Sequence, residues 1–94
     1  MNKDELLSLA EEKGYEYAEN EAEIYNEDWY LDLCLLQRWL MIEHKIHLEF
    51  YYNFIAKNYC LVILKPGYCK DYGFIYDTYE NALESGIYNS LLLI

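Results

Sequence analysis

The spacing of apolar and polar positions at the start of the chain predicts helical structure. Residues 2–13 carry one apolar stripe and an acidic opposite side, which is typical of a short amphipathic helix. Asn2 followed three positions later by Glu5 is close to a capping box, and Gly14 provides a stop at the C-terminal end. Residues 15–28 fit both an alternating and a helical spacing, and we favour the helical interpretation.

Two further helices are predicted from longer patterns. A central helix should begin after the N-cap Asn26 and continue to about Lys45; because it is apolar around most of its circumference, we expect it to be largely covered. The last helix should be capped by Asp77 or Thr78, and its buried side should carry Ala82, Leu83, Ile87, Leu91 and Ile94. On that side Gly86 lies between the small residues Ala82 and Ser90. Glycine inside a helix costs about 1 kcal/mol relative to alanine, so we expect Gly86 to pack closely against a sheet.

Between these helices the pattern changes to a period of two. It predicts a strand over residues 46–54, with Ile46, Leu48, Phe50, Tyr52 and Phe54 on the inner side. Residues 59–65 are apolar on both faces, as in an inner strand. Pro66-Gly67 suits a type II turn, and residues 72–76 are predicted as a short third strand. The predicted fold class is α+β: two layers in the order α-α-β-β-β-α, with a three-stranded antiparallel meander and the helices packed on one face.

Length and charge suggest how the chain is organised. Its 94 residues, 54% of them hydrophobic, fit a single domain over residues 1–94. Residues 1–28 contain ten acidic residues and two lysines, whereas residues 29–94 contain seven acidic and five basic residues. The net charge of −10 is therefore concentrated in an acidic N-terminal region, 1–28, ahead of a core, 29–94. Phosphate backbones and anionic membrane surfaces would repel such a chain, so we expect neither nucleic acid nor membrane as a direct partner.

The cellular setting is predicted from two further patterns. No apolar leader follows Met1, and the longest apolar run is too short to span a membrane, so we expect a cytoplasmic protein. Cys34, Cys60 and Cys69 form neither an even disulfide framework nor a CxxC pair. We expect all three to be reduced.

Candidate catalytic and metal-binding residues are sparse. His44 and His47 could join a cysteine in a zinc site, but they straddle a helix-to-strand junction without finger-like spacing. Cys34 lies between apolar neighbours with no visible activator of its thiol. Glu43 and Glu49 could act as paired carboxylates, although in so acidic a chain such a pair arises by chance. We therefore expect no enzymatic activity, no metal and no other cofactor.

Two surface features point instead to a protein partner. The acidic N-terminal region would accelerate encounter with a basic protein surface, unless it serves solubility alone. Three tyrosines, Tyr51, Tyr68 and Tyr72, are not required by the core pattern. Because aromatic residues are enriched at interfaces, a surface cluster of them would be a recognition patch. The alternative is that tyrosine replaces phenylalanine on a half-buried sheet. The predicted partner-binding residues are Glu11, Glu12, Glu16, Glu19, Glu21, Glu23, Glu27, Asp28, Tyr51, Tyr68 and Tyr72.

Two passages resemble a group of small proteins, of no known activity, from gut anaerobic bacteria and their phages. One is Leu36-Gln37-Arg38-Trp39-Leu40 followed by Glu43-His44-Lys45-Ile46-His47, and the other runs from Tyr76 to Ile87 with the ending Leu91-Leu92-Leu93-Ile94. The resemblance implies the same order of elements. A phage origin would further imply an anti-defence, anti-CRISPR-like inhibitor that blocks the nucleic-acid-binding surface of an immune effector.

The leading hypothesis from the sequence is thus a non-catalytic, acidic protein-binding module. The alternative belongs to another class: a small-molecule binding or sponge protein with a pocket between sheet and helices, lined by Trp39, Tyr52 and Phe54. Steep salt dependence of partner binding favours the first hypothesis, and stabilisation by a small ligand favours the second.

Overall fold

A computed structural model describes residues 3–16 and 29–94 of the chain. The elements are α1 Lys3–Glu12, α2 Trp29–His44, β1 His47–Asn53, β2 Asn58–Lys65, β3 Tyr68–Tyr76 and α3 Tyr79–Leu91. This is the predicted α+β fold in the order α-α-β-β-β-α. The predicted caps at Asn2 and Asn26 lie outside the described residues, as does most of the helix predicted over residues 15–28.

α1 ends where the sequence predicts, for a specific reason. Gly14 has a φ of 102°, in the left-handed region that glycine adopts without a steric penalty. The N–H of Tyr15 donates to the carbonyl of Ala10 and the N–H of Gly14 to that of Glu11, at 3.0 and 3.1 Å. These two bonds form a Schellman motif, which directs Tyr15 back into the core, where it is buried against Trp39.

α2 is less completely covered than its apolar sequence suggested. Its buried side consists of Asp32, Leu33, Leu36 and Leu40, which repeat at helical spacing. Met41 and Ile42, in the last turn, are exposed. The expectation of a largely covered helix was therefore wrong for this end, because the sheet and α3 contact one side of α2 only. No helix in the described ranges is both long and apolar enough to cross a bilayer.

The sheet is a three-stranded antiparallel meander in the order β1-β2-β3, so the predicted inner strand is the central one. β1 and β2 pair residue for residue from His47 opposite Leu64 to Asn53 opposite Asn58. Between β2 and β3 the register shifts twice. Nine residues of β3, Tyr68–Tyr76, therefore face seven of β2, and each extra residue is accommodated in a bulge or irregularity.

The structure corrects two predicted strand limits. β3 starts at Tyr68 instead of Tyr72, because Gly67, with a φ of 76°, lets Pro66-Gly67 alone connect the strands. The polar residues Lys70 and Asp71 interrupt the apolar pattern, so the first half of this strand was not predicted from the sequence. β1 ends at Asn53, and Phe54 lies in the following turn with 83% of its surface exposed, so its prediction as an inner residue was wrong.

α3 covers the sheet and forms the centre of the core. Thr78 is its N-cap, and the hydroxyl oxygen of Thr78 accepts a 3.0 Å hydrogen bond from the N–H of Asn81. Ala82, Leu83, Ile87 and Leu91 are fully buried, as predicted. Their core partners include Leu61 and Ile63 of β2, and Leu6 and Ala10 of α1. Ile94 was predicted to be buried but is exposed, because the helix ends three residues before it.

Gly86 packs against the sheet as predicted. A Cβ atom at this position would lie 3.0 Å from the Cδ1 atoms of both Leu48 and Leu61. The missing side chain therefore lets the backbone of α3 approach β1 and β2 more closely than alanine would comfortably allow.

Candidate protein-binding surfaces

A groove opens between α3 and the side of β3 that faces the helices. It has a volume of about 540 Å³ and is lined by Tyr76, Asn81, Glu84, Ser85 and Tyr88. The last four repeat at positions i, i+3, i+4 and i+7, so they share one face of α3. We call these five residues the tyrosine groove.

The groove exists because α3 lies mainly over β2. The helix-facing side of β3 is left half-covered, and Tyr68, Tyr72 and Tyr76 occupy it. Tyrosine suits such positions, since its ring packs on the core while its hydroxyl reaches water or a polar partner. Tyr68 and Tyr72 thereby continue the row of tyrosines along β3 beyond the groove.

Hydrogen bonds fix the polar wall of the groove. The hydroxyl groups of Tyr76 and Ser85 are 2.8 Å apart and share a hydrogen bond. The Asn89 side-chain amide donates to the backbone carbonyl and to the hydroxyl of Ser85, at 2.8 and 3.2 Å. This network holds Tyr76 in place, so that the groove is preformed.

The two predicted tyrosines Tyr68 and Tyr72 interact with each other. Burial raises the pKa of the Tyr72 hydroxyl above its ordinary value, and the nearby Tyr68 hydroxyl raises it further. The Lys70 ammonium lies 5.0 Å from the centre of the Tyr72 ring. This cation–π contact shows that the ring face of Tyr72 accepts a positive charge.

Tyr51, the third predicted tyrosine, lies on the opposite face of the sheet, which none of the three described helices covers. It is 51% exposed, and its hydroxyl donates to the Glu49 carboxylate at 2.7 Å. Tyr51 pairs with Cys60, which in turn pairs with Phe74, and these three residues form a row across this face. The structure thus separates Tyr51 from Tyr68 and Tyr72.

The predicted acidic residues divide into two groups. Glu11, Glu12 and Glu16 are exposed at the end of α1 and just after it. The remaining predicted acidic residues lie outside the described residues: Glu19, Glu21, Glu23, Glu27 and Asp28.

All five residues of the tyrosine groove, including Tyr76 and Tyr88, were missed by the sequence interpretation. One signal could have identified them. Tyr68, Tyr72 and Tyr76 recur every four residues, and Asn81, Ser85 and Tyr88 mark a second, half-polar face on the last helix beside its buried one.

The residues of the alternative small-molecule pocket belong to separate clusters. The ring of Trp39 contacts Tyr15 and His44, at 5.3 and 4.7 Å between centroids. Tyr52 contacts Phe54 and Tyr59 instead, at 5.0 and 4.8 Å. Within residues 3–16 and 29–94, no three His, Cys, Asp or Glu side chains cluster in a way that could hold a metal ion.

Cys60 is the buried thiol of the sheet and has an acidic neighbour. Its Sγ atom donates to the Asp71 carboxylate at 3.2 Å, and the same oxygen accepts a 2.7 Å bond from the Gly73 N–H. Burial raises the pKa of the Cys60 thiol above its ordinary value, and the bond to Asp71 raises it further. The Gly73 and Cys60 bonds lower the pKa of Asp71, because both stabilise the ionised carboxylate.

The contrast between Cys60 and the exposed Cys69 leads to a prediction. With iodoacetamide at about pH 8, Cys69 should be alkylated at least about tenfold faster than Cys60, because only the thiolate reacts and the Cys60 thiol is buried with a raised pKa. Peptide mass spectrometry over time measures both rates. In urea the two rates should converge. Equal rates in the folded protein would contradict the burial of Cys60.

Comparison of the chain with protein-family models, curated proteins and solved structures finds no match.

Proposed function

We propose that this protein is a non-catalytic module that binds a basic protein, and that an extended segment of that partner occupies the tyrosine groove. The observation that carries the proposal is the groove itself, which is preformed, has a volume of about 540 Å³ and is lined by two tyrosines, a serine, an asparagine and a glutamate. Tyrosine provides a large contact area with few rotatable bonds, and serine and asparagine provide adaptable hydrogen bonds. Antibody-like recognition surfaces use the same combination.

The preference for a basic partner follows from charge. The chain carries a net charge of −10, and Glu84 lies in the wall of the groove. Tyrosine ring faces attract ammonium and guanidinium groups, as the contact between Lys70 and Tyr72 illustrates. Exposed acidic residues such as Glu11, Glu12 and Glu16 would accelerate encounter with such a partner.

The test is selection from a library of displayed random peptides, followed by affinity measurement with the selected peptides. We expect enrichment of lysine and arginine, and affinity that falls as salt rises because screening weakens the attraction. Tyr88→Ala and Glu84→Lys should each weaken binding by roughly tenfold or more, as losses at interface hot spots do. Matched controls are Tyr51→Ala, on the other face of the sheet, and Glu43→Lys, which makes the same charge change on α2.

Specific results would contradict binding of the partner in the tyrosine groove. Thermal unfolding of each variant establishes first that it is folded. If folded Tyr88→Ala and Glu84→Lys bind the selected peptides as the unaltered protein does, the groove is not the binding site. If the library yields no enrichment of basic residues, the partner is not basic.

The role of the acidic residues is tested separately from the groove. Reversing Glu11, Glu12 and Glu16 to lysine should reduce the association rate and flatten its salt dependence, with little change in the dissociation rate. An unchanged association rate would assign these residues to solubility alone.

The finer version of the proposal is that the basic partner is the nucleic-acid-binding surface of an immune effector, as an anti-CRISPR-like inhibitor of phage origin requires. It predicts that nucleic acid and this protein compete for that partner.

A further inference from the structure

The two edges of the sheet differ in regularity. At the β3 edge, the register with β2 shifts twice within one strand. At the β1 edge, all seven residues of His47–Asn53 pair one-to-one with β2 and the strand has no bulge. Bulges twist an edge strand and discourage further pairing, whereas a regular edge strand is a template for another strand.

The outer side of β1 is unpaired in the part of the chain that the structure describes. Within residues 3–16 and 29–94, β1 makes one backbone hydrogen bond beyond its ladder with β2: the Lys57 N–H donates to the Asn53 carbonyl at 2.7 Å and closes the turn. β1 also contains neither the proline nor the lysine with which natural proteins protect an exposed edge. Its sequence, HLEFYYN, is rich in residues that favour strands.

We propose that β1 pairs with β1 of a second copy of this chain, antiparallel and centred on Phe50, to give one continuous six-stranded sheet. In this register residues whose numbers add to 100 lie opposite each other, so all seven residues are paired. Phe50 faces its own copy and Leu48 faces Tyr52 on the helix side, and Glu49 faces Tyr51 on the other side. No two like charges face each other, and the Tyr51 hydroxyl already bonds a Glu49 carboxylate within the strand.

Neighbouring registers are less favourable. Centring on Glu49 places the two Glu49 carboxylates opposite each other, and like charges in that position destabilise a sheet. Centring on Tyr51 leaves His47 and Leu48 without a partner. A shift by a single residue would place the helix-facing residues against the uncovered face, which the alternation of side chains forbids. The register centred on Phe50 is therefore the one that the residues of β1 specify.

The charge of the chain gives this association a distinct salt dependence. Two copies carry −10 each, so they repel at low salt and the repulsion is screened as salt rises. The dimer should therefore tighten between low and high salt. Binding to a basic partner should weaken over the same range, so the two associations are distinguished by the sign of their response.

The test measures mass by sedimentation equilibrium of the full chain at about 0.15 M and about 1 M salt, between which the screening length falls from about 8 to about 3 Å. We expect a species of twice the 11.4 kDa chain mass. In the Tyr51→Glu variant the new carboxylate of each copy lies opposite Glu49 of the other copy. The dimer then contains two repulsive pairs, and its dissociation constant should rise roughly 2- to 30-fold. Adding Glu49→Lys to that variant places Lys opposite Glu and should restore the dimer.

Ile75→Glu is the matched control, since Ile75 is 68% exposed on β3, which the proposed pairing does not use. It should leave the dimer intact. Circular dichroism and thermal unfolding verify that each variant is folded. A monomer at every salt and protein concentration overturns the proposal. So does a dimer that survives Tyr51→Glu but is lost with Ile75→Glu, because the chains would then meet at another surface.

Discussion

A chain that ends at Thr78 is expected to be unfolded. Deleting residues 79–94 removes α3, whose Leu83, Ile87 and Leu91 are fully buried and contact β2, α1 and α2 through one core. Burying each such side chain stabilises a fold by about 1.5–3 kcal/mol, and a domain of this size has a total stability of about 5–15 kcal/mol. A three-stranded sheet stripped of its covering helix cannot compensate for that loss.

Urea titration followed by circular dichroism measures the effect, and the truncated chain should show no cooperative transition. Leu92→Ser is the control, because Leu92 is exposed just beyond the end of α3 and its replacement should leave the midpoint almost unchanged. A sigmoidal urea transition in the truncated chain would show that the meander and the first two helices fold without α3.

Gly86→Leu should cost at least about 3 kcal/mol of the free energy of unfolding. The first added carbon would already lie 3.0 Å from side-chain atoms of both Leu48 and Leu61, and the remaining three carbons would have to displace these residues. Overpacking a core typically costs about 1–3 kcal/mol for fewer added atoms. Chemical denaturation of the purified variant measures the loss.

Two further variants separate crowding from helix propensity. Gly86→Ala gains about 1 kcal/mol of helix propensity but crowds the same leucine side chains, so its net effect should lie within about 1 kcal/mol of zero. Glu80→Leu adds the same leucine at an exposed position of α3 and should be nearly neutral. A Gly86→Leu protein as stable as the unaltered chain would mean that α3 does not approach the sheet this closely.

Several elements of the fold could be predicted because their signals are local. The Schellman end of α1 needs only Gly14, and the cap of α3 needs only Thr78. The central position of β2 agrees with residues 59–65 being apolar on both faces, because the side chains of a central strand are partly covered by those of the strands on either side of it.

The features that could not be predicted from the sequence depend on how the elements are placed beside one another. The tyrosine groove arises from the lateral offset of α3 from β3, and no local pattern encodes an offset. The first half of β3 was missed because Lys70 and Asp71 are polar, yet they belong to an edge strand whose exposed positions need not be apolar. Phe54 was assigned to the inner side by extending a period of two, although the Asn53 side chain begins the turn there by accepting from the N–H groups of Ile55 and Ala56.

The bulges of β3 also decide how far an assembly built through β1 can extend. When two copies pair, the regular edge strand β1 of each chain becomes an inner strand. The strands at both ends of the combined sheet are then β3. Each of these outer strands carries the two register shifts, so its backbone groups cannot form an uninterrupted ladder with another chain. Addition of further copies should therefore stop at the dimer. The bulges of β3 thus prevent a sheet that could otherwise polymerise from growing into a fibre.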